Sequence, residues 1–386
     1  MRLKRPIHQL RAGVIGSGFI GPVHIEALQR LGVRVTAIAG SNRAQEVAAK
    51  WNIPNVFLNY DYDGLIRSPE VDVVHITSPN KEHAPQSLAA LAAGKHVVCE
   101  KPLAMTPKES AQLVRDAARR PKQIFAVNYN VRFYPAVLQM RADIAAGRLG
   151  RIIHVQGSYF QDWLLKPEDF NWRLLPSEGG KLRAVADIGT HWMDTVSFIL
   201  GAKIESIFSR LGIAHATRLR PVGPVQTFTK VSSTKDWKRY SVETDDFSSI
   251  LLEWNNGAHG NVAVSQVAAG RKNSIRMEIY GTEGSASWAS EEPNTIQYGS
   301  RDTGNAISHR ACPGFAEEVT PFTDYPPGHA EGFPDTFKML YRAVYNDIAN
   351  GRSKQPLYAT AEDGHHEIEV CEAILKSNAS KKWVKV

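Results

Sequence analysis

Long hydrophobic runs are missing from this chain of 386 residues. No stretch approaches the ~18 consecutive apolar residues that a membrane-spanning helix needs, so no membrane partner is expected. Cysteine is scarce. The three present, Cys99, Cys312 and Cys371, stand far apart without CxxC or CxxxC spacing. That pattern argues against a disulfide framework or a zinc site and for a reducing, cytoplasmic setting. The basic opening MRLKRPIHQL is followed by no apolar signal core. Internal repeats and low-complexity tracts are absent. The net charge is +7 and the pI about 9.2, yet Lys and Arg are spread thinly. Only small groups such as Arg218/Arg220 and Lys235/Lys238/Arg239 gather. With no RRM, zinc-finger or helix-turn-helix signature beside them, they read as a solvated basic surface, and no nucleic-acid partner is expected. The pair His365-His366 falls in a helical pattern with no second ligand cluster, and adjacent helical residues point apart. No metal site is expected.

What the chain does have is a regular beat. In its first third, apolar β-branched stretches at 10–15, 33–39, 71–77, 96–99 and 124–127 alternate with helical patterns at 24–31, 45–51, 83–93 and 108–119. Such alternation implies βαβ units and a doubly wound parallel sheet, whose strands are apolar on both faces because helices cover both. From about residue 151 the rhythm changes to strand-like runs at 152–160, 204–213, 247–254, 260–267 and 274–280. Turn signals such as Asn255-Asn256-Gly257 and Gly281-Thr282-Glu283-Gly284 separate the later ones. One helical segment, 187–200, interrupts them, and two helices at 332–350 and 359–377 finish the chain. The expected architecture is α/β followed by α+β. A Rossmann domain over 1–130 precedes a domain over 131–386 built on a large, mostly antiparallel open sheet. The second domain is expected to bind substrate and form oligomers, with the C-terminal helices as candidates to pack back on the first. The stretch 291–325, rich in Gly, Pro, Ser and Thr, reads as the least structured.

Between the first strand and the first helix stands Gly16-Ser17-Gly18-Phe19-Ile20-Gly21. Gly16 permits the tight turn, Gly18 lets a pyrophosphate approach the backbone, and Gly21 allows close helix–strand packing. The N–H groups from Phe19 and Ile20 onward open the helix and favour phosphate. A lone GxGxxG is weak evidence, but its place in the first βα turn of an alternating domain is the confirming context. A dinucleotide cofactor is expected. An acidic residue at the end of the second strand normally grips the ribose of NAD. Here the strand ends Ala39-Gly40-Ser41-Asn42-Arg43, so Ser41 and Arg43 are available to a 2′-phosphate. This tilts the reading slightly toward NADP and leaves NAD open. At the ends of later strands stand Ser78, Asn80 and His83, then Glu100 and Lys101. All five are cofactor-binding candidates, although His83 taken alone reads better as a helix cap.

A second constellation is Asp187-Ile188-Gly189-Thr190-His191. On a helix beginning near Asp187, the carboxylate and the imidazole share one face, where the acid can orient the ring and stabilise its charged form.

Taken in order, GSGFIG, SPNKEH, EKP, NYNVRFYP and GGKLRAVADIGTH resemble the Gfo/Idh/MocA family of sugar and inositol oxidoreductases, over essentially the whole chain. The resemblance implies that Lys101, Asp187 and His191 form the catalytic group, with Lys101 reaching the substrate beside the nicotinamide. It implies an NAD- or NADP-dependent enzyme acting on a secondary hydroxyl of a sugar, glycoside or cyclic polyol, assembled as a homo-dimer or homo-tetramer. Tyr129, Arg132 and Tyr134 are implied near cofactor or substrate. Gln161, Asp162, Trp163 and Trp172 look like a pyranoside-binding wall, because an indole face suits the C–H face of a sugar ring. Three other readings stay open: a redox-assisted glycosidase or epimerase that recycles its cofactor, an inositol dehydrogenase, and a non-catalytic cofactor-binding sensor.

Overall fold

The computed structural model describes residues 6–221 and 237–386; Lys235 of the basic group above lies outside them. The chain folds as two compact units, Met1–Asn130 with Pro334–Ile368, and Val131–Phe333 with Glu369–Val386.

The first unit holds β1 (Arg11–Ile15), β2 (Arg34–Ala39), β3 (Asn55–Phe57), β4 (Val73–Ile76), β5 (His96–Cys99) and β6 (Phe125–Val127). They form one parallel sheet in the order β3-β2-β1-β4-β5-β6. This is the doubly wound order, with its switch point between β1 and β4, where such sheets bind ligands. Helices α1 (Ile20–Arg30), α2 (Arg43–Trp51), α3 (Tyr62–Arg67), α4 (Asn80–Ala92) and α5 (Pro107–Ala118) make the crossovers. Residues 73–76 of β4 and 97–99 of β5 are buried throughout, as a sheet covered on both faces requires. Local chemistry sets the helix starts. At α5, Thr106 and Glu109 close a capping box behind Pro107 at the first helical position.

The second unit is built on nine strands. They are β7 (Ile152–Phe160), β8 (Ile204–Gly212), β11 (Phe247–Trp254), β12 (His259–Ser265), β13 (Ser274–Gly281), β14 (Ser285–Ala289), β15 (Thr295–Gly299), β16 (Ala306–His309) and β17 (Val384–Lys385), with a separate hairpin of β9 (Thr217–Pro221) and β10 (Trp237–Ser241). The order is β16-β15-β14-β13-β7-β12-β11-β8-β17, and every pairing is antiparallel except β7 with β12. The strands alternate cleanly. In β11, Ser248, Ile250, Leu252 and Trp254 turn inward, while Phe247, Ser249 and Leu251 face out. The core lies on the inner face, under helices that include α6 (Pro135–Ala145) and α8 (Thr190–Leu200), with the short α7 (Pro176–Gly179) before the latter. Gly157 in β7 makes room for Trp192 of α8: a Cβ there would press on the Trp192 ring and the Arg276 carbonyl, to which the indole N–H donates at 2.8 Å.

Two helices end the chain, α9 (Phe333–Asn350) and α10 (Ala361–Ser380). The segment Pro334–Ile368 belongs to the first unit, where Val127 bridges Ala359. No described helix is long and apolar enough to cross a membrane. One expectation is corrected. The stretch 291–325 is not the least organised part, since it supplies β15, β16 and a 3-10 turn at Glu317–Phe322. These strands are short and rich in polar residues, so their own propensity is weak. Pairing along the sheet edge orders them. A buried ion pair, Arg310 to Glu331 at 2.7 Å, braces the loop beyond.

Candidate active site

At the switch point, the chain leaves β1 through Gly16 with φ +116°, a conformation open to glycine. A Cβ on Gly16 would strike Thr77, and one on Gly21 would strike the Gly16 carbonyl. Gly18 differs. No protein atom lies within 4 Å of where its Cβ would stand, so the backbone there is open to close approach. Helix α1 begins directly afterwards with no side chain capping it, leaving its first N–H groups for an anion. Two crowded glycines and one open one, ahead of an uncapped helix, fit the pyrophosphate of a dinucleotide. Beside this turn Ser17 is buried, and Gly40 at the end of β2 packs against it. Ser41 follows, and Arg43 is the first residue of α2 and partly buried.

The next two strand ends are tied together. Ser78 donates to Gln86 at 2.7 Å, and Asn80 is a buried residue opening α4. His83 does more than cap that helix: Nδ1 lies 2.7 Å from the Pro102 carbonyl and Nε2 2.9 Å from that of Ser78. It stands between the SPN loop and the EKP loop, donating to one of the two carbonyls when neutral, and burial holds its imidazole below the usual histidine range. The EKP turn itself leaves β5 at Cys99 and includes a cis Lys101–Pro102 peptide. The Glu100 carboxylate is buried and oriented three ways. Asn128 donates to Oε1 at 2.5 Å, His24 Nε2 stands 3.0 Å from the same oxygen, and the Lys101 N–H reaches Oε2 at 3.2 Å. Glu100 thus holds the backbone from which the partly exposed Lys101 side chain departs.

In the second unit the DIGTH segment is not a regular helix start. Val185–Gly189 forms a π-turn before α8 opens at Thr190, a distortion frequent at functional sites. It presents Asp187 to two side chains from other segments of the chain. Arg173 Nε donates to Oδ1 at 3.0 Å and Gln266 Nε2 donates to Oδ2 at 2.7 Å. His191 is mostly buried, with the Tyr159 ring 6.3 Å away. Behind Gln266 lies a fully buried charge cluster. Arg183 donates to Gln266 Oε1 at 3.2 Å and also binds Asp246, which Arg218 reaches at 2.7 Å. Burial pulls both guanidinium groups below their usual range, and their shared acid and backbone acceptors make the enclosure tolerable. Arg218 was expected on a solvated surface. It is instead an internal clamp, donating to the carbonyls of Leu164 and Lys166 at 2.8 Å each.

That clamp holds the loop carrying the expected sugar wall. Trp163 donates to Gln161 at 2.8 Å, and Gln161 and Tyr159 both donate to Asn273, at 2.9 and 2.7 Å. The Asp162 carboxylate is engaged by Lys272 at 2.7 Å and the Gly270 N–H at 3.0 Å, which hold it below the usual carboxylate range. Trp172 lies in a 3-10 turn with the Arg173 guanidinium 4.4 Å above its ring. Arg132 carries a structural ion pair. It is buried against Asp194 in a two-point ion pair, 2.8 and 2.5 Å, and stacks on Phe198, so packing claims its guanidinium. Tyr129 is fully enclosed, and Tyr134 packs on Trp288 at 4.9 Å. Sequence reasoning missed Gln266, Arg183, His24 and His75. A polar residue in an apolar run, as His75 is in VDVVHI, was the signal available. Among the described residues, no group of three or more His, Cys, Asp or Glu could hold a metal ion. His365 hydrogen-bonds Ser110 at 2.8 Å.

The switch-point turn is that of a dinucleotide-binding Rossmann domain, and comparison with known proteins agrees. Residues 10–129 match the model of the oxidoreductase family with an NAD-binding Rossmann fold, and residues 137–287 match the Gfo/Idh/MocA C-terminal domain. The chain belongs to the Gfo/Idh/MocA family of oxidoreductases. It is 30% identical to levoglucosan dehydrogenase of Pseudarthrobacter phenanthrenivorans, across 98% of this chain and 99% of that protein. Inositol 2-dehydrogenase 2 of Saccharopolyspora erythraea is 27% identical, across 96% and 94%. Among solved structures, levoglucosan dehydrogenase in complex with NADH and L-sorbose superposes with a TM-score of 0.86 at 30% identity, covering 98% of both chains. The family is one of NAD-dependent sugar and polyol dehydrogenases.

Proposed function

We propose that this enzyme transfers hydride between a secondary hydroxyl of a pyranose ring, free or carrying an anomeric substituent, and a nicotinamide cofactor. The observation carrying the pyranoside reading is Arg173, whose guanidinium covers the Trp172 ring at 4.4 Å while binding Asp187 at 3.0 Å. It links the partly buried Trp172, whose uncovered face suits a sugar ring, with the carboxylate of the proposed acid–base group. When bound, the nicotinamide supplies two-electron hydride acceptance or donation. In the oxidative direction His191 takes the hydroxyl proton, and Asp187 fixes the local charge that favours the protonated ring. Lys101 donates to the reacting oxygen and stabilises the negative charge that develops there. Gly16, Gly18 and Gly21 with the first N–H groups of α1 hold the pyrophosphate, and Ser41 and Arg43 favour NADP over NAD.

We also read the protein as a homo-dimer or homo-tetramer joined through the open sheet, whose outer face exposes Phe247, Leu251 and Tyr280. Its three free thiols support a reducing, cytoplasmic setting. Light scattering across a concentration series tests the assembly; a monomer throughout removes it.

The functional test is a screen of levoglucosan, alkyl pyranosides, free aldoses and inositols with NAD and NADP, followed at the nicotinamide absorbance. Pyranosides should lead, and Trp172→Ala should weaken sugar use without weakening cofactor binding. Inositol preferred over every pyranoside replaces the substrate class. Product formed without net cofactor reduction replaces the dehydrogenase with a redox-assisted glycosidase or epimerase. Cofactor affinity with no turnover on any ring leaves a sensor.

A further inference from the structure

Two imidazoles that the proposed chemistry does not use are sealed inside the first unit. His24 on α1 and His75 on β4 are both 0% exposed, with their Nδ1 atoms 3.1 Å apart. Each ring has a second partner. His24 Nε2 is 3.0 Å from Glu100 Oε1, and His75 Nε2 is 3.0 Å from the Tyr345 hydroxyl. Helix α9 lays Phe337, Tyr341 and Tyr345 along one face at successive fourth positions. The His24 ring centre lies 5.8 Å from Phe337 and 5.2 Å from Tyr341, and that of His75 lies 4.9 Å from Tyr341. An isolated buried histidine is ordinarily a satisfied core residue. Two in series, aimed through a carboxylate at the turn that carries Lys101, are a different arrangement.

The proton positions follow from the ends of the chain. An ionised carboxylate only accepts, so His24 Nε2 carries a hydrogen toward Glu100. Burial keeps His75 well below the usual histidine range, so His75 is neutral. In the arrangement with one hydrogen on each ring, His24 Nδ1 accepts from His75 Nδ1–H, and His75 Nε2 accepts from the Tyr345 hydroxyl. Every donor then meets an acceptor, all in one direction from Tyr345 to Glu100. Glu100 passes the order on through its contacts with Asn128 and the Lys101 N–H.

We propose that Tyr345, His75 and His24 are positioning residues: a buried, polarised hydrogen-bond chain that fixes the Glu100 carboxylate and thereby the turn from which Lys101 acts. This rests on the catalytic reading of Lys101 given above. Tyr345→Phe removes one oxygen and leaves His75 Nε2 without its donor. His75 then loses the contact that anchors its ring from behind, and the His24 ring it supports holds Glu100 less firmly.

The test uses the full-length enzyme with NADH as binding probe and the best sugar from the screen. Tyr345→Phe should fold, bind NADH as the wild type does, and lose about 10-fold in kcat, the scale expected of a misplaced catalytic group. Nitrogen-15 spectra of the wild-type rings should show His24 protonated on Nε2 and His75 on Nδ1, and the His75 Nε2 signal should shift in the variant. His24→Gln, which keeps an N–H where Nε2 stands, should retain more turnover than His24→Leu. In a Lys101→Ala background, Tyr345→Phe should add no further loss. Wild-type kcat in a folded Tyr345→Phe, a doubly protonated His24, or an undiminished loss in the Lys101→Ala background would each overturn the relay. Failure of the catalytic reading is seen separately, as Lys101→Ala that turns over normally. If Lys101→Ala is impaired and Tyr345→Phe is not, the relay alone is wrong.

Discussion

Gln266 binds the Asp187 carboxylate at 2.7 Å, and Arg183 orients its amide from behind at 3.2 Å. The acid of the DIGTH segment is therefore the last acceptor in a network that starts at the buried Arg218–Asp246–Arg183 cluster. Its charge is set from the sheet side by Gln266 on β12's exit and from the sugar-wall side by Arg173. Such networks are worth more than their separate bonds, because a missing partner leaves a buried polar group unsatisfied.

Gln266→Glu tests this directly. Arg183 gains a carboxylate partner, so the fold should survive. Two carboxylates in the place of one hydrogen bond resist joint ionisation, and the charged form of Asp187 becomes harder to populate. The acid limb of the pH dependence of kcat/KM should move to higher pH. An unmoved limb, with activity retained, would show that Asp187 does not contribute to the profile.

His191→Ala should lose more activity at neutral pH than at high pH, because hydroxide replaces part of a missing base whose help is worth roughly 100- to 10,000-fold. The measurement is kcat across the pH range for the variant and the parent. A constant deficit would assign His191 to substrate positioning.

Arg43→Ala should weaken NADP binding and leave NAD nearly unchanged, since a guanidinium at the start of α2 is the cation available to a 2′-phosphate. Equilibrium titration with both cofactors reads the difference. Equal losses would make Arg43 a structural helix residue, and tighter NAD binding by the unaltered enzyme would remove the NADP preference.

His96 makes stability depend on acid. Its Nδ1 accepts from the Ile124 N–H at 2.9 Å, and burial pushes its imidazole down to about 4. The unfolded chain takes up this proton first, near pH ~6.5, so the contribution is complete above that value. It is lost progressively as pH falls toward the folded value, a difference on the order of 3 kcal/mol. His96→Asn keeps an acceptor at the same place and does not titrate. Denaturant unfolding at about pH 7.5 and about pH 4.5 should show a smaller acid loss in the variant than in the parent. Equal losses would place the acid sensitivity elsewhere, with His83 and His75 as the next candidates.

What the sequence by itself determined is what near neighbours decide. The period of apolar residues set β1, β2 and β5 with their helices, and the GSGFIG turn marked the switch point because glycine's conformational freedom is local. The same period drew β7, β11 and β13 in the second unit, and the order of short motifs identified the family. Only the tertiary structure decided which charges are buried and what they touch. Arg218 and Arg132 read as available cations and are enclosed by Asp246 and Asp194. Strands β14 to β16 exist through pairing, and the π-turn at Val185–Gly189 turns Asp187 toward Gln266, 79 positions away. His75 finds Tyr345 across 270 positions. A hydrogen bond is short-ranged in space and indifferent to separation along the chain, so its partner is fixed only when packing brings the two together.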